Sequence, residues 1–483
     1  MSGYEPVIGL EIHVQLKTRT KMFCGCELSF GDPPNIHCCP VCLGLPGALP
    51  VVNARAVDFA VMIGLALGSD IAPRSIFHRK NYFYPDSPKA YQISQYDEPI
   101  CRGGHLDDVR IHRVHLEEDA AKLVHVGESG RIHGSDRSVV DFNRCGTPLV
   151  EIVTEPDLQS PQQAHEWLIL LRTTLRQLGV SDVNMDEGSL RCDANVSIRP
   201  VGSSELGTKA ELKNMNSFRF LERGIRAEIE RQTTLVESGT GVVGETLHYD
   251  PVSDRLTSLR SKEEAHDYRY FPEPDLVPLL VTDEILAAAQ AAVPELPAER
   301  MARFERELGL ASGMARDLAF RRELADYYER AVAEAPAGKV TSVEVANWIP
   351  QLVERIGSGA DPAESRVAPG ALSALAAMVS AKEVSRDAAR EVLTNLVEEG
   401  GEPAAIVERE GLGAISAGDG DGDGNGLVAI VDAAIASDPD AAAKVKEGNM
   451  KAIGPLVGYV MRETKGRADG GEVTRLIRER VGD

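Results

Sequence analysis

The stretch "VIGLEIHVQL", Val7 to Leu16, decides how the first part of this chain folds. Read as a strand, it sorts its side chains by parity. Ile8, Leu10, Ile12, Val14 and Leu16 point to one side; Gly9, Glu11, His13 and Gln15 point to the other. A face of five large aliphatic residues is core. The opposite face then carries a carboxylate and an imidazole two residues apart, and what they look at is the functional question.

The strand sits in a chain of 483 residues with 43% hydrophobic content. That length calls for several domains, and that content excludes global disorder. No apolar run reaches the ~18 residues of a membrane span. The N-terminus lacks a basic segment followed by an apolar one, so a cytoplasmic protein without membrane attachment is expected. A formal net charge of -22 argues against a broad nucleic-acid surface. The last segment departs from this average. Lys444 to Asp483 holds nine Lys/Arg against six Asp/Glu, a local polyanion contact.

Pattern along the chain predicts a multidomain α+β protein. Residues 1–295 read as strand-rich and mixed. Within them, "SPQQAHEWLILLRTTLRQLG" carries helix signals: Ser160 as N-cap, Pro161 at the first turn, Gln163 completing a capping box, and Gly179 as the stop. Ala164, Trp167, Leu168, Leu171, Leu175 and Leu178 form its apolar stripe. A second helix is predicted from Ser217 to Glu237. Past "VPELPAER" strand patterns vanish, giving an all-helical domain over 296–408, a linker over 409–426 and a small helical tail over 427–483. The linker stretch "SAGDGDGDGNG" superficially matches a calcium loop, but Ile430 stands where such a loop needs its bidentate Glu.

Five of the eight cysteines fall between Cys24 and Cys42. Cys24 and Cys26, then Cys39 and Cys42, are two short pairs around a loop, the pattern of a closed tetrahedral zinc cage with a structural role. Cys38 is a spare thiol able to replace Cys39. Cys101, Cys145 and Cys192 read as small core residues.

Three acidic segments accompany the first strand. "GTPLVEIVTEPD" sets Glu151 inside an apolar run, where a carboxylate is costly unless paired or metal-bound. "HLEEDAAK" supplies Glu117, Glu118 and Asp119 at a strand end. "DEGSLRCDANVSI" supplies Asp186, Glu187 and Asp193. Singly, each reads as a polar strand face or a solvated turn. Together, one histidine and several carboxylates form an oxygen-rich site suited to Mg²⁺. "FHRKNYFYPDSPKAYQIS" threads Arg79, Lys80 and Lys89 among aromatics, which suits a nucleotide or an RNA end. "GSSELGTK" resembles a P-loop only with Thr208 and Lys209 reversed, and is discounted.

"IGLEIHVQL", "FCGC…CPVCLGLPGALPVVN", "RKNYFYPDSPKAYQISQYD", "HLEEDAAK", "NRCGTPLVEIVTEPD", "EGSLRCDANVS", "TKAELKNMNSF", "YRYFPEPDL" and "MKAIGPLVGYVMRETKGRAD" together resemble the B-subunit family of tRNA-dependent amidotransferases, over nearly the whole chain. The resemblance implies a cradle-shaped first domain, a helical domain and a helical tail. It implies a ligase that phosphorylates the side-chain carboxylate of Glu-tRNA(Gln) or Asp-tRNA(Asn) with ATP. Ammonia from a glutaminase A subunit then displaces the phosphate, and a small C subunit completes the heterotrimer. By the same resemblance Glu11, His13, Glu118 and Glu151 are catalytic. Those four and Glu117 are Mg²⁺ contacts. Lys80, Asp193 and Lys213 serve the nucleotide. Cys24, Cys26, Cys39 and Cys42 hold Zn²⁺. Lys451, Arg462, Lys465 and Arg467 touch tRNA. The chain departs from the family pattern at Ala121, where a positive φ would make alanine costly.

Two other classes compete. A non-catalytic, zinc-containing tRNA-binding adaptor explains the cage and the basic tail but leaves Glu11, His13 and Glu151 without purpose. A metal-dependent phosphotransferase acting on a small free acid explains the carboxylates but not the tail.

Overall fold

The computed structural model describes residues 3–126, 135–213, 215–251, 253–261, 268–357, 359–414, 426–464 and 466–482. The chain divides into two compact units, Met1–Pro297 and Ala298–Asp483.

The opening stretch is the middle of a twelve-residue strand, β1 (Tyr4–Gln15). It lies inside a ten-stranded mixed sheet. Its neighbours are Pro148–Thr154 on one side and Leu190–Pro200 on the other, both antiparallel. With Val109–Glu118 as β2, Pro148–Thr154 as β3, Leu190–Pro200 as β4, Ala210–Lys213 as β5, Glu245–Asp250 as β6 and Arg255–Ser261 as β7, the order is β7-β6-β5-β4-β1-β3-β2. Two short strands, Cys101–Arg102 and Asp70–Ile71, follow at the β2 edge, and a tenth, His105–Leu106, also pairs with β2. The β5–β6 pair is parallel, and the other neighbours in this order run antiparallel.

Register turns parity into layers. Cys192, Ile12, Ile152, Val114 and Cys101 are successive cross-strand partners, and all five are buried. One residue along, Arg191, His13, Glu151 and His115 make the parallel row on the opposite face. A one-residue slip would exchange the two rows, so burial of the apolar one fixes where the polar one stands. Helix α1 (Ala54–Ala66) packs on β2, and α3 (Phe218–Glu237) packs on β4. Helix α2 (Pro161–Leu178) lies against both helices.

Helix α2 begins as its sequence prescribes. Ser160 Oγ accepts the Gln163 N–H at 3.0 Å, and Gly179 closes the helix at φ 69°. The return half of the capping box differs by one residue: Gln163 Oε1 accepts from the Gln159 N–H at 2.8 Å, not from Ser160. The long Gln side chain reaches past the cap to the next free donor. Replacing Ser160 by alanine is expected to cost about 1 kcal/mol, because a helix-end N–H loses its acceptor. The urea midpoint of the first unit reads this directly.

Ala121 is buried, with its N–H donated to the Asp86 carbonyl at 2.9 Å, and it is not among the positive-φ residues. The departure from the family pattern therefore carries no backbone strain.

The second unit is helical, with no strand among its described residues. It holds two cores. One gathers Phe304, Tyr327, Tyr328, Leu352, Leu372 and Leu393 with their neighbours as far as Leu412. The other gathers Leu427, Val431, Leu456, Val460 and Ile477. Helix Pro403–Glu410 runs two residues past the predicted edge at 408. Most of the predicted linker, residues 415–425, lies outside the described residues.

Candidate metal site and cysteine cage

The polar row across β4, β1, β3 and β2 is the seat of the site. Glu151 is 6% exposed and Glu117 is 2% exposed. His13 Nε2 lies 3.6 Å from Glu117 Oε1 and 3.5 Å from Glu151 Oε2. His115 Nε2 lies 3.3 Å from Glu151 Oε2 and 3.9 Å from Glu117 Oε2. Arg113 Nη2 stands 4.0 Å from Glu151 Oε1.

These contacts set the protonation states. Burial pushes Glu151 upward, but His115 and His13 beside it outweigh burial and hold it well below the usual carboxylate range. Burial lowers His13, and the Glu151 and Glu117 carboxylates more than restore it, leaving it above its ordinary value. Lys80 follows the same logic: burial lowers it, and Glu117, Tyr270 and Glu151 raise it further. Its Nζ also sits 5.1 Å from the centre of the Tyr268 ring.

One donor atom each from His13, Glu117 and Glu151 lie within 4.8 Å of one another. Octahedral ligands about 2.1 Å from Mg²⁺ stand roughly 3–4.2 Å apart. Two carboxylates and one imidazole at this spacing fit a hard divalent cation.

Not every predicted ligand joins them. Glu118 follows Glu117 on a strand, so it points to the other face. There it pairs with Lys89 and accepts the Ile93 N–H at 3.0 Å. Glu118 is therefore removed from the metal group. Glu11 shares the face of His13 but stands one row away. Asp193 is the cross-strand partner of Glu11. Lys213 Nζ donates to Asp193 Oδ2 at 2.7 Å, and Asn195 Nδ2 donates to Glu11 Oε1 at 2.9 Å. Glu11 belongs to this neighbouring row. Asp186 and Glu187 are exposed in the turn before β4 and take no part.

Cys24, Cys26, Cys39 and Cys42 bring their sulfurs within 4.8 Å of one another. Sulfurs about 2.3 Å from zinc lie roughly 3.8 Å apart, so the four fit a tetrahedral cage. Cys39 fills the fourth corner, and Cys38 is not part of the group. The Cys42 thiol is pushed down to about 4, chiefly by the hydrogen bond with Cys24, with backbone donation at Cys39 and the Lys21 ammonium adding to it. Cys101, Cys145 and Cys192 are buried, as core residues should be. A cavity of about 180 Å³ has Cys24, Cys42, Lys89 and Glu118 among its lining residues.

Comparison with known proteins meets this geometry. Residues 6–287 match the family model described as the GatB/GatE catalytic domain, and residues 326–481 match the one described as the GatB domain. The chain is 49% identical to the B subunit of the aspartyl/glutamyl-tRNA(Asn/Gln) amidotransferase of Frankia casuarinae, over 100% of this chain and 96% of that protein. Identity to the same subunit of Anaeromyxobacter dehalogenans is 46%, over 100% of both chains. For that of Brevibacillus brevis it is 47%, over 99% of both.

The chain belongs to the GatB family.

Several residues of this GatB-family chain are not evident from its sequence pattern as first read. His115 shares parity with Glu117 in "VHLEED", so alternation alone could have found it. Arg191 could not be found that way. It stands opposite His13 and donates to Asp119 Oδ2 at 2.8 Å, and only the β1–β4 register brings it there. Burial raises Asp119, but Arg191 and Arg144 hold it below its ordinary value. In the tail, Lys451 and Arg462 are exposed. Arg467 is half-buried and donates to the Gly411 and Thr464 carbonyls. Lys465 lies outside the described residues.

Proposed function

We propose that this GatB-family subunit converts Glu-tRNA(Gln), Asp-tRNA(Asn) or both to the amidated form in two chemical steps. A side-chain carboxylate oxygen attacks the γ-phosphorus of ATP, and the bond to the bridging oxygen breaks to release ADP. Ammonia then attacks the acyl-phosphate carbon. The C–O bond breaks, phosphate leaves with the electron pair, and the nitrogen sheds a proton. The intermediate is needed because a bare carboxylate would have to expel oxide.

The observation that carries this reading is the convergence of His13, Glu117 and Glu151 from three strands beside Lys80. A divalent cation held there would supply charge cover where two anions, carboxylate and polyphosphate, must meet. Lys80, from a separate small sheet, and Arg113 add fixed positive charge beside these carboxylates. Tyr268 and Tyr270 wall Lys80, and Tyr270 stacks on Tyr96 at 4.3 Å. Asp193 and Lys213, in the neighbouring row, extend the polar surface available to the nucleotide.

In this reading Cys24, Cys26, Cys39 and Cys42 hold structural zinc, and Lys451 and Arg462 offer the tail to tRNA. A glutaminase A subunit supplies ammonia, a C subunit completes a heterotrimer, and the assembly works in the cytoplasm. No described helix is long and apolar enough to cross a membrane. The test is co-expression with the A and C partners, followed by assay of each mischarged tRNA with ATP and glutamine. Amidated tRNA with one ADP per product is expected. Product without ADP formation would overturn the activation step, and tRNA binding with neither would make the chain an adaptor.

A further inference from the structure

Lys21 is 0% exposed, three residues before the first cage cysteine. An ammonium in such a place is costly unless its donors and its charge are both answered. Two donors find backbone oxygens: the His37 carbonyl at 2.8 Å and the Phe142 carbonyl at 3.1 Å. Its third contact is Cys42 Sγ at 3.6 Å. No carboxylate among the described residues is paired with it. The negative charge facing Lys21 is therefore sulfur. Four thiolates around one Zn²⁺ sum to two negative charges, and a buried ammonium at the edge of the cage removes one.

The same side chain reaches the segment that leads into β3. Phe142 to Thr147 is the segment that feeds directly into β3, which carries Glu151. It is fastened to the cage region by two further bonds, Met22 N–H to the Gly146 carbonyl at 2.7 Å and Cys145 Sγ to the Cys42 carbonyl at 3.4 Å. Gly146 has φ 84°, and a Cβ there would stand 3.5 Å from Lys21 Cδ and 3.6 Å from Cys42 Cβ. Cage, lysine and segment are thus in direct contact.

We propose that Lys21 is the counter-ion of the zinc cage and a positioning residue that passes the state of the cage to residues 142–147. This rests on the zinc reading of the four cysteines. Without metal the four sulfurs are no longer tied to one centre, Cys42 is free to shift away from the ammonium, and the bond to Phe142 loosens. A simple strut would also hold Phe142 but would be indifferent to zinc.

The experiment uses the full chain co-purified with its partner subunits. Zinc content is measured in the wild type, and zinc affinity by competition with a chromogenic chelator in the wild type, Lys21→Met and Lys21→Gln. Lys21→Gln keeps a hydrogen-bond donor and removes the charge. Both variants are expected to bind zinc about 10–100-fold more weakly, the range seen when groups around metal ligands are lost. Hydrogen exchange of wild-type residues 142–147 is expected to speed up when zinc is stripped, a readout that needs no variant to fold. Zinc in the wild type with unchanged affinity in Lys21→Gln would overturn the counter-ion role. Zinc-independent exchange at 142–147 would overturn the coupling. Failure of the wild type to hold zinc at all would instead overturn the cage itself.

Discussion

Glutamine at Glu151 is expected to abolish ATP-dependent amide formation, by on the order of 10³-fold or more, while glutamine hydrolysis by the partner subunit continues. The substitution keeps shape and hydrogen-bonding capacity and removes one charge. That charge has three partners on the sheet face: His13 at 3.5 Å, His115 at 3.3 Å and Arg113 at 4.0 Å. A site left with one carboxylate and one imidazole is a poor host for a hard cation. ADP release and amidated tRNA should vanish together, and full product formation by the variant would remove Glu151 from the chemistry. The metal-free protein gives an independent check through pH. Glu151 is held below its usual range, so its contribution to stability is present above the unfolded carboxylate value, ~4.3, and is lost as pH falls through the lower folded value. His13 is raised, so its contribution is full below ~6.5 and fades as pH rises through the higher folded value. With chelator present, the melting-temperature gap between wild type and Glu151→Gln should be widest between about pH 4.3 and 6.5. A gap that does not vary with pH would mean that the two groups are not paired in solution.

Much of this site could be read from short-range pattern, and the remainder could not, for one physical reason. Alternation along Val7–Leu16 put His13 on a polar face, and the cost of burying Glu151 marked it for a partner. Both inferences use neighbours within a few residues. The choice between Glu117 and Glu118 is also a parity question, but it needs to be known which face of β2 is polar. That depends on Ile152 and Cys101 packing on Val114, residues far away in sequence. Arg191 came to light only through a pairing of this kind. Cysteine spacing predicted a cage, yet adjacent Cys38 and Cys39 could be separated only by where the turn aims each sulfur. The helix caps and the change to helical structure near 297 were legible because capping and composition are local. Register is the long-range variable. Each strand pairing fixes the transverse row in which a side chain stands, and the chemistry here is assembled along such rows.

Lys80 gives the sharpest separation between a catalytic charge and a structural one. Its ammonium sits in the field of Glu117 and Glu151, the carboxylates that would hold the divalent cation, and their attraction raises its proton affinity. The same field means that Lys80 repels any metal bound there. Methionine at this position keeps most of the aliphatic length and deletes the charge. Divalent-cation affinity should therefore increase, roughly tenfold for a change of 1–2 kcal/mol in a partly screened interaction. Amide formation should nonetheless fall, on the order of 10²–10³-fold, if the proposed role of Lys80 toward the nucleotide holds, because a more tightly bound metal does not stand in its place. Opposite changes in affinity and rate are the signature. Mn²⁺ binding by titration calorimetry gives the first, and single-turnover conversion of mischarged tRNA the second. If Lys80 only balances buried charge, the bound metal takes over that duty and saturating Mg²⁺ restores the rate of Lys80→Met to the wild-type value. A rate that stays low at saturating Mg²⁺, beside tighter Mn²⁺ binding, leaves contact with the transferring phosphoryl group as the role the ammonium fills.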